Sequence, residues 1–335
     1  MKERDSNIEL LRLLCMVGIV LMHFIGLAVY PEVWNPNAPL SVSVIAGTLM
    51  CSVTILSVNI FGLISGYYGI QFSWKRLLIL YLTCSLYAIL GCGVGLCNGE
   101  DISIKSFLLE TLLPFSHANG GLWYIQCYVG LVLFAPLLNK AIEHLDKREY
   151  LWVLLLATIA NVYLGRFWKV PTYNVYGYSV AQLVYLYLIG GYIRKHVDLS
   201  KLSHTHILIP MLLSIGVWNA LTLLQHRLSV PHWSPTSYNQ IVVLVASVCV
   251  LMLMLKHPFK SKWINFLAPG SLAIYLFHQN EHVWMVIKDV LLQCECIKHG
   301  GGGMAILAIM AIGLCVVALL FDKVRQFFIK FLIRK

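Results

Sequence analysis

Arg12 and His23 bracket the stretch RLLCMVGIVLMH, whose ten intervening residues are uncharged and mostly apolar. A guanidinium is suited to holding phosphates, and a neutral imidazole can remove a proton near pH 7. On an α-helix, eleven residues advance about 1100°, close to three whole turns, and about 16 Å along the axis. The two side chains therefore share one face at different depths, where both can line one cavity without touching. Arg12 could instead snorkel to headgroups. His23 is harder to place as packing, because an ionisable group deep in an apolar span must be paired or wetted.

A second stripe occurs in GSLAIYLFHQNEH, where Ser271, Tyr275, His278 and His282 are spaced four, three and four apart. On one continuous helix they share a face. Hydroxyl, phenol and two imidazoles on one face predict a bundle interior or a hydrated cleft, although plain interhelical hydrogen bonds also suit Ser271 and Tyr275. A third segment, VNIFGLISGYYG, carries Asn59 and Ser65 among small residues and leads into Lys75 and Arg76. Those cations serve membrane orientation or hold an anionic nucleotide, and the residues alone leave both uses open.

The elements that must position these groups are membrane helices. The chain has 335 residues, 59% of them hydrophobic and only 12% charged, with a mean hydropathy of +0.76. Soluble domains carry about twice that charged fraction. Spans are expected over residues 8–29, 45–69, 75–97, 121–140, 150–166, 177–195, 206–225, 238–256, 266–288 and 304–322, each near the ~20 apolar residues a bilayer crossing needs. The gap at 98–120 holds little more than one helical turn pattern, and the first span is too long for a cleavable signal, so it is expected to remain as an anchor.

With ten spans, eighteen of the 25 basic residues fall on the side of the termini and five on the other. That asymmetry predicts cytoplasmic termini. The net charge of +10 is then topological, and a nucleic-acid partner is excluded. Most cysteines sit inside spans, where a thiol acts as a small hydrophobe. Cys97, Cys294 and Cys296 lack a Cys-x-x-Cys spacing, so no metal is expected. GLISG (Gly62, Gly66) and GCGVG (Gly91, Gly95) have the spacing that lets helix backbones approach. Gly300 to Gly303 reads as an outer hinge, and the basic, aromatic tail DKVRQFFIKFLIRK as an interfacial segment on anionic lipid.

Taken in order, these motifs resemble the integral-membrane acyltransferase family 3. SNIELLRLLCMVGIVLMH is similar to the family's first span, and VNIFGLISGYYG to its F-x-x-SGY signature. GGLWYIQCYVGLVLFAPLL is similar to its H-LW[FY] motif with a later proline, and SLAIYLFHQN to S-L-x-[IV]-Y-x-x-H. The resemblance implies an all-α bundle of about ten transmembrane helices, with residues 1–335 as a single acyltransferase domain in the plasma (inner) membrane. It implies transfer of an acyl group, typically acetyl, from cytosolic acyl-CoA to a hydroxyl of a carbohydrate, with no metal. Its partners would be a glycan acceptor and membrane lipids.

Carried over residue by residue, the resemblance makes His23 the catalytic base and Arg12 its basic partner. Lys75 and Arg76 would meet the CoA phosphates, with Lys replacing one usual Arg, and Ser65 would lie beside the donor. Trp123 and Tyr124, with Ser271, Tyr275 and His278, would serve the acceptor; Ser65, Tyr275 and His278 are also candidates for stabilising the oxyanion. The family often has His before its Leu-Trp, where this chain has Gly121, and His117 lies four residues earlier. The alternative reading is a carrier or flippase for a lipid-linked saccharide, which would want paired broken helices; no matching pair is evident in the sequence.

Overall fold

The structure, a computed structural model, describes residues 4–29, 40–115, 122–170, 173–228, 234–294, 297 and 302–333, without the side chains of 226–227 and 328–333. His117, Gly121, Cys296, Gly300 and Gly301 lie outside the described residues, as do the side chains at the end of the basic tail. All regular structure among the described residues is helical. The chain is an all-α polytopic membrane protein. Among the described residues, seven helical segments are long and apolar enough to cross a bilayer: Ser6–Ala28, Val42–Tyr68, Trp74–Cys97, Trp123–His144, Lys147–Phe167, His204–Gln225 and Gly302–Phe327. Expected spans six and eight correspond to the shorter helices Val180–His196 and Ile241–Lys256.

The chain forms two compact units. The first comprises Met1–Pro31, Trp74–Leu122 and Lys260–Lys335; the second comprises Glu32–Ser73 and Trp123–Phe259. In the first unit, α1 (Ser6–Ala28) runs unbroken through both Arg12 and His23. Its start is pinned by Ser6, whose Oγ accepts from the Ser261 amide at 2.8 Å, and by Lys260 on Asp5 at 3.2 Å.

The ninth expected span is not one helix. Lys262–Leu267 leads through a 3-10 turn, Ala268–Gly270, into Ser271–His278; the chain then breaks, and Glu281–Gln293 follows. Pro269 lies in the 3-10 turn. The second break has a local cause. Asn280 is extended (φ −66°, ψ 129°), and its side-chain oxygen accepts from the amides of His282 and Val283 at 3.1 and 3.3 Å. An Asn cap starts a new helix, and Glu281 in its first turn suits the positive end of the dipole. His282 is thereby removed from the stripe of Ser271, Tyr275 and His278. The expected loop at 98–120 also contains a helix, Ile104–Leu112, capped by Ser103 Oγ on the Ser106 amide at 3.1 Å.

In the second unit, the helices Leu56–Tyr68 and Val180–His196 meet backbone to backbone. A Cβ on Gly66 would lie 2.1 Å from the Tyr187 carbonyl oxygen, and one on Gly190 would lie 2.2 Å from that of Leu63. The GLISG spacing therefore serves close helix packing. Beside it runs a buried amide network. Asn59 donates to the Tyr238 carbonyl at 2.7 Å, Gln182 donates to Asn59 at 3.2 Å, and Asn174 donates to Gln182 at 3.1 Å and to Asn161 at 3.0 Å. Arg166, at the end of the fifth expected span, is buried in a π-helix, Ile159–Phe167.

Candidate active site

In the first unit, α1 and the short helix Ser271–His278 bring two imidazoles together although 255 residues separate them. His23 Nδ1 lies 3.2 Å from His278 Nε2. His278 is fully buried and His23 half-buried. His278 Nδ1 is 2.7 Å from the Ile274 carbonyl oxygen, one turn back on its own helix. A carbonyl only accepts, so Nδ1 of His278 carries the proton, and in the neutral ring Nε2 is left as an acceptor. Gln279, the residue before the Asn280 cap, places its side-chain nitrogen 2.9 Å from His23 Nδ1 and 3.0 Å from His278 Nε2.

Two proton arrangements of His23 fit these contacts. Gln279 Nε2 only donates: if it gives one N–H to each ring, His23 Nδ1 accepts and the His23 proton lies on Nε2. In the other tautomer His23 Nδ1–H donates to His278 Nε2, and the lone pair on His23 Nε2 can take a proton from a substrate. If Nε2 takes one, the positive charge is met by His278 Nε2, and the proton of His278 points into a helix carbonyl. In that second tautomer the pair has the layout of a base with an orienting partner, the logic of a catalytic triad with imidazole in the carboxylate's place. Aromatic rings wall the pair: Trp284 meets His23 edge-on at 6.1 Å and Tyr275 meets His278 at 5.9 Å. A cleft lined by Cys84, Tyr87, Leu122, Leu276 and Asn280 reaches Gln279.

Arg12 is on the same helix, 3.5 Å from Glu9, which Arg4 also approaches at 3.7 Å. Glu9 is buried, so one carboxylate is bracketed by two guanidiniums and the cluster keeps a net positive charge. Lys75 and Arg76 are exposed in the first turn of Trp74–Cys97. Ser271 begins the helix that ends at His278.

Ser65, Trp123 and Tyr124 belong to the second unit. Ser65 Oγ donates to the Phe61 carbonyl at 2.9 Å, so its hydrogen is committed within its own helix. The single ring proton of neutral His278 is likewise committed to Ile274. Both assignments make these residues poor oxyanion donors, and His278 becomes an acceptor instead. Trp123 stacks on Tyr238 at 5.6 Å and 22°, with Tyr178 against it at 4.6 Å and Tyr124 at 5.7 Å.

Sequence reasoning missed Gln279 and Glu9. Both had a local signal: Gln279 is adjacent to His278, and Glu9 stands three residues before Arg12, at ion-pair spacing on a helix. The family model for the acyltransferase domain of acyltransferase family 3 matches residues 5–322. No curated protein and no solved structure matches the chain.

Proposed function

Because the chain belongs to acyltransferase family 3, and is a membrane acyltransferase, we propose that it moves an acyl group, acetyl in the first instance, from acyl-CoA to a carbohydrate hydroxyl with His23 as general base. The observation that carries this reading is the contact of His23 Nδ1 with the acceptor nitrogen of His278. In the proposed reaction the acceptor O–H proton passes to His23 Nε2, and the oxygen bonds to the thioester carbonyl carbon. The C–S bond then breaks, and the imidazolium returns the proton to the CoA sulfur. His278 holds His23 in the productive tautomer, and Tyr275 is the remaining candidate for the oxyanion.

The donor's phosphates are assigned to Lys75 and Arg76, with Arg12 supplying charge on α1. Two cations in a first helical turn oppose the helix dipole, so their position does not serve helix stability and is better explained by an anion. The Trp123, Tyr178 and Tyr238 cluster, exposed at Tyr178, supports a sugar acceptor, whose C–H faces pack on aromatic rings, and Tyr124 is assigned with it. Ser271, in the first unit, is assigned to the acceptor on the family resemblance alone. We place the protein in the plasma (inner) membrane with both termini cytoplasmic, on the basic-residue asymmetry.

The test is to incubate the purified full chain, or vesicles containing it, with acetyl-CoA labelled in the acetyl group. Label appearing in ester linkage to glycan, and absent with His23→Gln, is the expected result. No transfer or hydrolysis of label by the folded protein would overturn the reading in favour of carriage of a lipid-linked saccharide.

A further inference from the structure

A second constellation lies in the first unit, apart from the two-histidine pair. Cys92 on Trp74–Cys97, Glu110 on Ile104–Leu112 and His282 on Glu281–Gln293 are all buried and converge. His282 Nε2 is 3.1 Å from Glu110 Oε2; Cys92 Sγ is 3.4 Å from the same oxygen and 3.9 Å from His282 Nε2. The other ring nitrogen, Nδ1, is 2.5 Å from Glu100 Oε2, and Glu110 Oε1 accepts from Ser106 Oγ at 2.9 Å. From these contacts we infer that Cys92, Glu110 and His282 form a zinc site, with Glu100 orienting the histidine.

Three independent features point the same way. The first is spacing. A tetrahedral zinc with nitrogen and oxygen ligands near 2.0–2.1 Å and sulfur near 2.3 Å separates N from O by about 3.3–3.4 Å, and sulfur from either by about 3.5–3.6 Å. The observed 3.1, 3.4 and 3.9 Å bracket those values, so the ion needs shifts of only a few tenths of an ångström. The second is the outer partner. A metal-binding imidazole characteristically gives its other N–H to a carboxylate, and Glu100 is that carboxylate.

The third is a backbone built to allow the approach. A Cβ on Gly95 would lie 2.7 Å from His282 Nδ1 and 3.1 Å from Glu100 Oε2, and one on Gly91 would lie 2.1 Å from the Asn280 side chain. The GCGVG notch therefore receives the start of the helix that carries His282. The donor set selects the ion. Thiolate with imidazole and carboxylate suits zinc or cobalt and disfavours magnesium and calcium. With the thiol proton released on binding, Zn²⁺, thiolate and the Glu110 carboxylate sum to zero charge around a neutral imidazole. Three protein ligands leave a fourth position for water.

The test uses the full chain purified in detergent through a tag without histidines. Its background is His204→Ala/His257→Ala, because those exposed rings approach at 3.0 Å and could bind metal adventitiously. Zinc is quantified after dialysis, and cobalt is then substituted and its thiolate charge-transfer absorption recorded. Equimolar zinc and a cobalt band are expected. Cys92→Ser should remove the band, His282→Gln should lower zinc affinity at least tenfold, and Glu100→Gln, which keeps all three ligands, should lower it about 10–100-fold. A monodisperse parent protein that retains no added zinc, or shows no cobalt band, overturns the proposal. Zinc affinity equal to the parent's in both Cys92→Ser and His282→Gln overturns it too, because the ion then sits elsewhere. The cobalt band is read on the parent protein, so misfolding of a variant leaves the proposal testable.

Discussion

If His278 acts only through His23, its removal should matter only while His23 can take a proton. His278→Leu deletes the acceptor that lies 3.2 Å from His23 Nδ1. That bond gains strength when His23 becomes charged, and a hydrogen bond to a charged group contributes about 1.5–3 kcal/mol. At about 1.4 kcal/mol per decade, kcat should fall about 10–150-fold. Donor KM should hold, since His278 contacts no group assigned to the donor. The fold should tolerate the change: leucine is close in volume, and the Ile274 carbonyl keeps its helical N–H partner. His23→Gln alone should cost about 10²–10⁴ in rate. The assay is transfer of labelled acetyl from acetyl-CoA to glycan in vesicles, for both single variants and the double variant. The double variant should be no slower than His23→Gln, because the second loss has nothing left to act on. Losses that multiply would refute the relay and give His278 an independent role, and a wild-type rate in His278→Leu would reduce the contact to packing.

Replacing Lys75 and Arg76 together with Ala should weaken donor binding by about 1–3 kcal/mol, read as a raised acyl-CoA KM with kcat unchanged; an unchanged KM would leave these cations a purely topological role. Gly66→Ala should lower the thermal midpoint in detergent by the equivalent of about 1–3 kcal/mol, because the added Cβ meets the Tyr187 backbone at 2.1 Å and backbone cannot rotate away as a side chain does. An unchanged midpoint would show that the two helices do not pack this closely. A reporter fused after Lys335 should be active only when placed in the cytoplasm; activity on the opposite side would refute the ten-span topology.

What the sequence made legible was local. The 3.6-residue period carries Arg12 and His23 along one helix, and α1 is continuous through both. GLISG announced a close helix contact, and Gly66 makes one. The pairing of His23 with His278 was not legible, because spacing within one helix says nothing about which other helix it faces. Arg166 shows a related limit: a cation at the end of an expected span reads as facing the membrane edge, yet tertiary packing buries it in a π-helix. The cap at Asn280 was legible in principle, since Asn followed by Glu is a helix-start signal. The apolar residues on both sides hid it by suggesting one uninterrupted span.

That hidden break separates the two chemical constellations. On an unbroken helix His278 and His282, four residues apart, would stand one turn apart on a common face. They would then compete for the same neighbours. The extended residue Asn280 redirects the chain. His278 stays with His23, 3.2 Å away, while His282 turns to Glu100, Glu110 and Cys92. Gln279 sits at the turn itself, and its side chain reaches both nitrogens of the histidine pair. Asn280→Ala should therefore disturb both constellations together. It removes a cap whose loss costs about 0.5–2 kcal/mol and frees the junction that holds Gln279. Measured side by side, acyl transfer and zinc affinity should fall in that one variant, whereas Glu100→Gln should lower zinc affinity and leave the His23–His278 contact intact. If Asn280→Ala changed one activity and spared the other, the break would not be the shared support of both sites.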